Sequence, residues 1–242
     1  MNDHVDPGLA TTAAVLLIVV PLAFNAAFAA LAATFDYPDI LRRPTAEILA
    51  AFRAGGARLV LLWWAFAMTA LLLTPLAVLV ALSLEGVADW LVLSIAITGA
   101  LASLTQVLGL IRWPFLVPYL ARASAADAPS GEASAAPDRA DAIDVVFQSF
   151  NRYLGVAVGE HLGVLFTGAW SILVGVGALQ SGNVPGWLGV VGIVVGLVLA
   201  ACSLEFVGPF EPSGWRLAGA TTPIVYIVWS LWLIATGVAL LL

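Results

Sequence analysis

The chain has 242 residues, 62% of them hydrophobic and only 10% charged, with a mean hydropathy of +1.05. Charged residues make up about a quarter of a soluble domain, so a water-soluble globule is excluded: it would expose more apolar surface than stays monomeric. Fifteen acidic residues against nine basic ones give a net charge of −6, which excludes a nucleic-acid binder built on a basic face, and the single Cys202 excludes an intrachain disulfide or a Cys-based zinc cluster.

Asp3, His4 and Asp6 precede the first apolar run, with no Lys or Arg among them. A secretory signal starts with positive charge. Here the positive charge follows the run, at Arg42 and Arg43. The run therefore reads as an uncleaved first helix with its N-terminus outside. Six apolar segments reach the roughly 20 residues that a membrane helix needs: 11–33, 57–82, 90–112, 153–179, 187–208 and 219–241. Pro21 and Pro75 fall inside spans, where proline is tolerated as a kink. Trp90 and Trp187 suit an outer aromatic belt, and Trp113 and Trp215 an inner one. Trp63, Trp64, Trp170, Trp229 and Trp232 lie deeper and read as packing residues.

In the first connection, Arg42-Arg43-Pro44-Thr45-Ala46-Glu47 carries helix-start signals. Ile48, Leu49 and Phe52 follow as one apolar stripe, spaced for a short interfacial helix that Gly55-Gly56 ends. The third connection, 121–140, is rich in Ala, Ser, Asp and Pro and reads as a flexible linker. It divides a single membrane domain, 1–242, into three-span halves at 1–120 and 141–242. Ser83-Leu84-Glu85 and Ser203-Leu204-Glu205 occupy comparable places in the two halves, a short match that leaves an inverted repeat open.

All nine basic residues are Arg, and they gather at alternate connections. Arg42, Arg43, Arg53 and Arg58 surround the first connection, Arg112, Arg122, Arg139 and Arg152 the third, and Arg216 lies in the fifth. Such bias sets orientation. The expectation is an all-α, six-span helical bundle in the cell membrane, with both termini outside and the Arg-rich loops cytoplasmic.

Polar residues at membrane depth are the candidate site, because burying an unpaired charge in lipid is costly. Glu160 and His161 sit in Gly159-Glu160-His161-Leu162-Gly163, and Glu205 near the end of the fifth span has the same nominal depth. Gln106 and Arg112 in the third span, and Asn151 and Arg152 at the start of the fourth, complete the set. Arg152 and Glu160 fall about 80° apart around an α-helix and are placed to share a crevice. Arg112 is the preferred partner of a carboxylate, with Arg152 the alternative. The same set has donors for one divalent metal ion, although no HExxH pair is present; no other cofactor is expected. Against all this stands a plain ion pair that holds the bundle together. Gly155, Gly159 and Gly163, four residues apart, allow close helix approach, as do Gly186, Gly189, Gly192 and Gly196.

Several stretches together resemble the bacterial integral-membrane family catalogued as domain of unknown function 4386. They are Phe52-Arg53-Ala54-Gly55-Gly56, the run from Gly155 to Gly163, Ser203-Leu204-Glu205-Phe206-Val207-Gly208, and Gly219-Ala220 with Pro223 leading to Trp229-Ser230-Leu231-Trp232. The resemblance spans about 40–240 and implies a polytopic membrane fold. It implies no catalytic role.

The functional reading is a polar intramembrane site for binding, sensing or transport of a ligand, ion or lipid. A membrane-embedded enzyme acting on a lipid or isoprenoid is the alternative, and a scaffold without a ligand the third. The expected partners are membrane lipids and a small ligand or lipid, not nucleic acid.

Overall fold

The computed structural model describes residues 6–125, 136–211 and 213–242. Among the described residues, six helical stretches are long and apolar enough to cross a membrane: Pro7–Phe35, Thr45–Ser83, Asp89–Ala123, Pro137–Gln180, Gly186–Phe206 and Arg216–Ala239. The protein is an all-α, multi-pass membrane bundle.

Helix α1 (Pro7–Phe35) opens on an Asp6 cap, whose carboxylate accepts the Gly8 N–H at 2.9 Å, with Pro7 in the first turn. The second span is bent twice. Gly56 takes a positive φ of 56° within α2 (Thr45–Leu71), which only glycine adopts without strain. A second break at Leu72 separates α2 from α3 (Leu73–Ser83). Pro75 has no N–H for the Leu71 carbonyl. Ser103 Oγ donates to the neighbouring Ala70 carbonyl at 2.8 Å, with Leu71 O at 3.4 Å.

The third span breaks at Ile111 between α4 (Asp89–Leu110) and α5 (Arg112–Ala125), where Pro114 removes another N–H. The fourth begins as α6 (Ala136–Phe150), becomes a π-helix over Asn151–Leu162, and continues as α7 (Gly163–Gln180). π-helices mostly occur as single turns, often at functional sites. A segment of 12 residues is long for the class. The fifth span is α8 (Gly186–Cys202) with a 3₁₀ turn at Ser203–Phe206, and the sixth is α9 (Arg216–Ala239).

The spans close a ring in chain order. α1 packs on α2 and α3, these on α4, α4 on α7, α7 on α8, α8 on α9, and α9 returns to α1. The Gly faces read from the sequence are used here. A Cβ on Gly196 would lie 2.5 Å from Gly168 O, and one on Gly189 2.7 Å from Gly175 O. Apolar packing forms two clusters. One, around Trp170, Trp229 and Trp232, includes Leu84 and Val184 near the loops after the second and fourth spans. The other, around Trp63, Trp113, Phe35 and Phe52, includes Ile40, Ala121 and Phe147 near the Arg-bearing connections.

Several expectations shift. The Ile48-Leu49-Phe52 stripe is buried in the second cluster instead of facing lipid. Trp113 is buried there too, stacked on Trp63 at 4.4 Å, and is no interface anchor. Trp64 faces outward. Of the expected linker, 121–125 extends α5 and 136–140 starts α6; residues 126–135 lie outside the described residues.

Candidate functional site

The π segment lies against α4 through glycine. Gly159 abuts Gly109, and Gly163 abuts Gln106. Gly155 leaves room for Arg112: a Cβ there would lie 2.6 Å from Nη2. Arg112 is buried at 9% exposure. It donates to Gly109 O and, at 2.9 Å, to Asn151 Oδ1, and its guanidinium lies 5.4 Å from the Trp113 ring centre. The break beside Pro114 and the bare Gly155 surface thus place a charged group inside the bundle with its hydrogen bonds supplied locally.

Glu160 comes off the same π segment, half-buried. Among the described residues no hydrogen bond and no ion pair within 4.0 Å engages its carboxylate. Arg112 and Glu205 act on it through space. Its field in turn reaches two tyrosines, Tyr37 from the first connection and Tyr226 from α9. Burial pushes the Tyr37 phenol well above its ordinary value, and Glu160 adds to the rise. Thr167 Oγ1 donates to Gly163 O at 2.7 Å and accepts from Gln106 Nε2 at 3.0 Å.

The two tyrosines join the two apolar clusters: Tyr37 packs on the Trp63–Trp113 cluster and Tyr226 on the Trp170–Trp229 cluster. A chain of rings runs between them. Tyr37 meets Trp63 at 5.0 Å and Phe28 at 5.6 Å; Phe28 meets Phe66 at 6.3 Å; Phe66 meets Phe24 at 4.9 Å; Phe24 meets Tyr226 at 6.2 Å.

His161 points elsewhere. Its Nδ1 lies 2.8 Å from Ser203 O, and because a carbonyl only accepts, Nδ1 carries the proton. Glu205 sits on the 3₁₀ turn after α8, against Gly219 and Gly214, within the field of Arg42. Among the described residues no three His, Cys, Asp or Glu side chains are arranged to hold a metal ion.

Of the residues singled out from the sequence, Arg112 and Asn151 are bonded to each other, Gln106 packs on Gly163 across the α4–π contact, and Glu160 follows Gly159 on the same segment. Glu205 reaches Glu160 only through space. Arg152 is a correction: it is exposed and pairs with the exposed Glu211. The continuous α-helical geometry assumed for the fourth span does not hold in the π segment. Arg112 is a second correction, since its hydrogen bonds go to a carbonyl and an amide and not to a carboxylate. Tyr37, Thr167 and Tyr226 escaped the sequence reading. Only the polar tips of Thr167 and Tyr226 within spans marked the latter two.

Over residues 12–237 the chain matches the family described as Domain of unknown function (DUF4386), and it belongs to that family. No curated protein and no solved structure gives a significant match.

Proposed function

We propose that this membrane protein binds a small ligand at Glu160, reached from the Arg-bearing face, and serves sensing or transport. The Arg bias supports a cytoplasmic assignment for that face, with both termini outside. One observation carries the reading: Glu160, half-buried on the π segment that packs on α4 through glycine, has no bonded partner among the described residues. A carboxylate kept only for packing would gain most from a direct ion pair. Here Arg112 is bonded to Gly109 and Asn151 instead.

The test uses dicyclohexylcarbodiimide, which modifies carboxyl groups in apolar surroundings. Mass mapping of the detergent-solubilised full-length protein is expected to place the adduct on Glu160, and Glu160→Gln to remove it while the protein stays monodisperse. An unmodified Glu160 in folded protein, with modification only at surface carboxylates, would remove the accessible site.

A further inference from the structure

We infer that the last turn of α5 is a headgroup site for an anionic phospholipid, independent of Glu160. Arg53 and Arg122 hold the lipid phosphate, and the acyl chains lie along Tyr119 and Phe115.

Arginines converge on this one turn. Arg53 reaches across from α2, and its Nη1 donates to Ala121 O at 3.0 Å and to Ser124 Oγ at 2.9 Å. Arg139 comes from α6, and its Nη2 donates to Ala123 O at 2.7 Å. The carbonyls of both sequence neighbours of Arg122 are therefore taken by guanidinium groups. The Ala121 carbonyl belongs to the peptide unit that leads into Arg122, so the Arg53 nitrogen lies within about 6 Å of the Arg122 backbone. Carbonyls at a helix C-terminus attract cations, which seats Arg53 but uses only part of its five N–H donors. Arg122 is exposed and makes no hydrogen bond among the described residues.

No described carboxylate neutralises Arg53 or Arg122 at close range. The acidic residues on the two helices packed beside this turn are Glu47 of α2 and Asp138, Asp141 and Asp144 of α6. Asp144 accepts from Thr45 Oγ1. Among the described residues, none of the four lies within 4.0 Å of either guanidinium; the ion pairs there are Arg42–Asp39, Arg43–Asp36 and Arg152–Glu211.

Depth makes the anion a lipid. Phe115, Tyr119 and Arg122 fall within about 60° of one another around α5. All three are exposed, opposite the buried Trp113, Val117 and Leu120. From the exposed Trp90 at the start of α4 to Tyr119 the helix runs about 44 Å at 1.5 Å per residue, close to a bilayer thickness of about 40–45 Å with headgroups. Tyr119 thus lies at the headgroup boundary, where amphipathic rings settle. Arg122 is one turn beyond, and helix side chains lean back toward the N-terminus. A phosphate between the two guanidiniums receives charge-assisted hydrogen bonds, and its ester chains run past Tyr119 and Phe115 into the bilayer. A soluble phosphate would engage the arginines without the aromatic stripe.

The experiment is native mass spectrometry of the delipidated full-length protein in detergent, titrated with phosphatidylglycerol or with phosphatidylcholine of the same chains. A saturable phosphatidylglycerol adduct is expected, which phosphatidylcholine does not displace. Arg122→Gln is expected to weaken it about fivefold, the effect of one basic side chain at an anionic surface. Adding Arg53→Gln is expected to weaken it further, and Tyr119→Ala to weaken it as well. Arg152→Gln, whose arginine is engaged by Glu211, is expected to bind like the parent. Should Arg53→Gln fail to fold for want of its bonds to α5, Arg122→Gln alone decides, since that side chain bonds nothing in the described fold. Equal binding of the two lipids, or a phosphatidylglycerol preference unchanged by Arg122→Gln, overturns the site. Inorganic phosphate forms the second arm and is expected not to displace the lipid at millimolar concentration. Displacement by phosphate, with Tyr119→Ala binding like the parent, would give the arginines to a soluble anion and overturn the lipid assignment.

Discussion

Gly109 of α4 and Gly159 of the π segment touch backbone to backbone. A Cβ on Gly109 would lie 2.6 Å from Gly159 Cα, and one on Gly159 would lie 2.9 Å from Gly109 Cα. Backbone atoms cannot swing aside as a side-chain end can, so this contact fixes how closely the third and fourth spans approach. It sets Glu160, the next residue, at its depth in the bundle.

The contact makes a steric prediction. Gly109→Val and Gly159→Val are each expected to lose stability by about 1–3 kcal/mol or more, the usual cost of overpacking. Gly182→Val is expected to be nearly neutral, because nothing lies within 4 Å of a Cβ there. Thermal unfolding in detergent, followed by retention of monodisperse protein, ranks the three. Equal losses at Gly182 and Gly159 would contradict the close contact.

Ser103 is expected to support the kink in the second span. Its hydroxyl bonds Ala70 O beside the carbonyl that Pro75 leaves without a donor. Ser103→Ala is expected to cost about 0.6–2 kcal/mol, the range measured for hydrogen bonds between membrane helices. Ser94→Ala is the control, since that hydroxyl is exposed and bonds only its own helix. The same thermal assay reads both.

The Tyr37 phenol is expected to ionise far above 10.0, the ordinary phenol value, since burial and then Glu160 both oppose the phenolate. The folded state therefore holds this proton more tightly than the unfolded chain. Stability from this group is fully present below pH 10.0 and is lost as the pH rises toward the elevated folded value. In an alkaline series, Tyr37→Phe is expected to lose stability less steeply than the parent. Parallel curves would show that Tyr37 is not buried in this way.

Orientation is open to direct labelling. With Cys202 replaced by Ser, a cysteine at Ala125 is expected to react with an impermeant maleimide only from the cytoplasm. One at Gly182, beyond the fourth span, is expected to react only from outside. Both positions are exposed. The opposite pattern would invert the proposed topology.

The spans were legible because each is a long apolar run, a signal that needs no partner to be read. Gly155, Gly159 and Gly163 were legible as a packing face for the same reason: spacing along one chain survives into the structure. The partners of charged groups were not. Arg152 looked close to Glu160 under α-helical geometry, but the 12-residue π segment changes the winding and Arg152 pairs with Glu211 at the surface. Arg112 looked like a partner for a carboxylate, yet Asn151 and Gly109 O take its donors. Tyr37 carried no span-depth signal, because it lies in the connection between the first two spans and reaches the Trp63 cluster only through tertiary packing.

The ring of spans closes through its first and last members, where Asn25 Nδ2 of α1 donates to Ser230 Oγ of α9 at 2.9 Å. Spans enter the bilayer in order of synthesis, so the wall that carries Tyr226 arrives last. Until then Phe24 lacks its Tyr226 neighbour, and Ser171 Oγ lacks the Trp229 N–H that it accepts at 2.9 Å. Docking of α9 therefore completes contacts on α1 and α7 together. A chain that stops before α9 is expected to leave Asn25 and Ser171 without these partners at membrane depth, where an unmet polar group is costly.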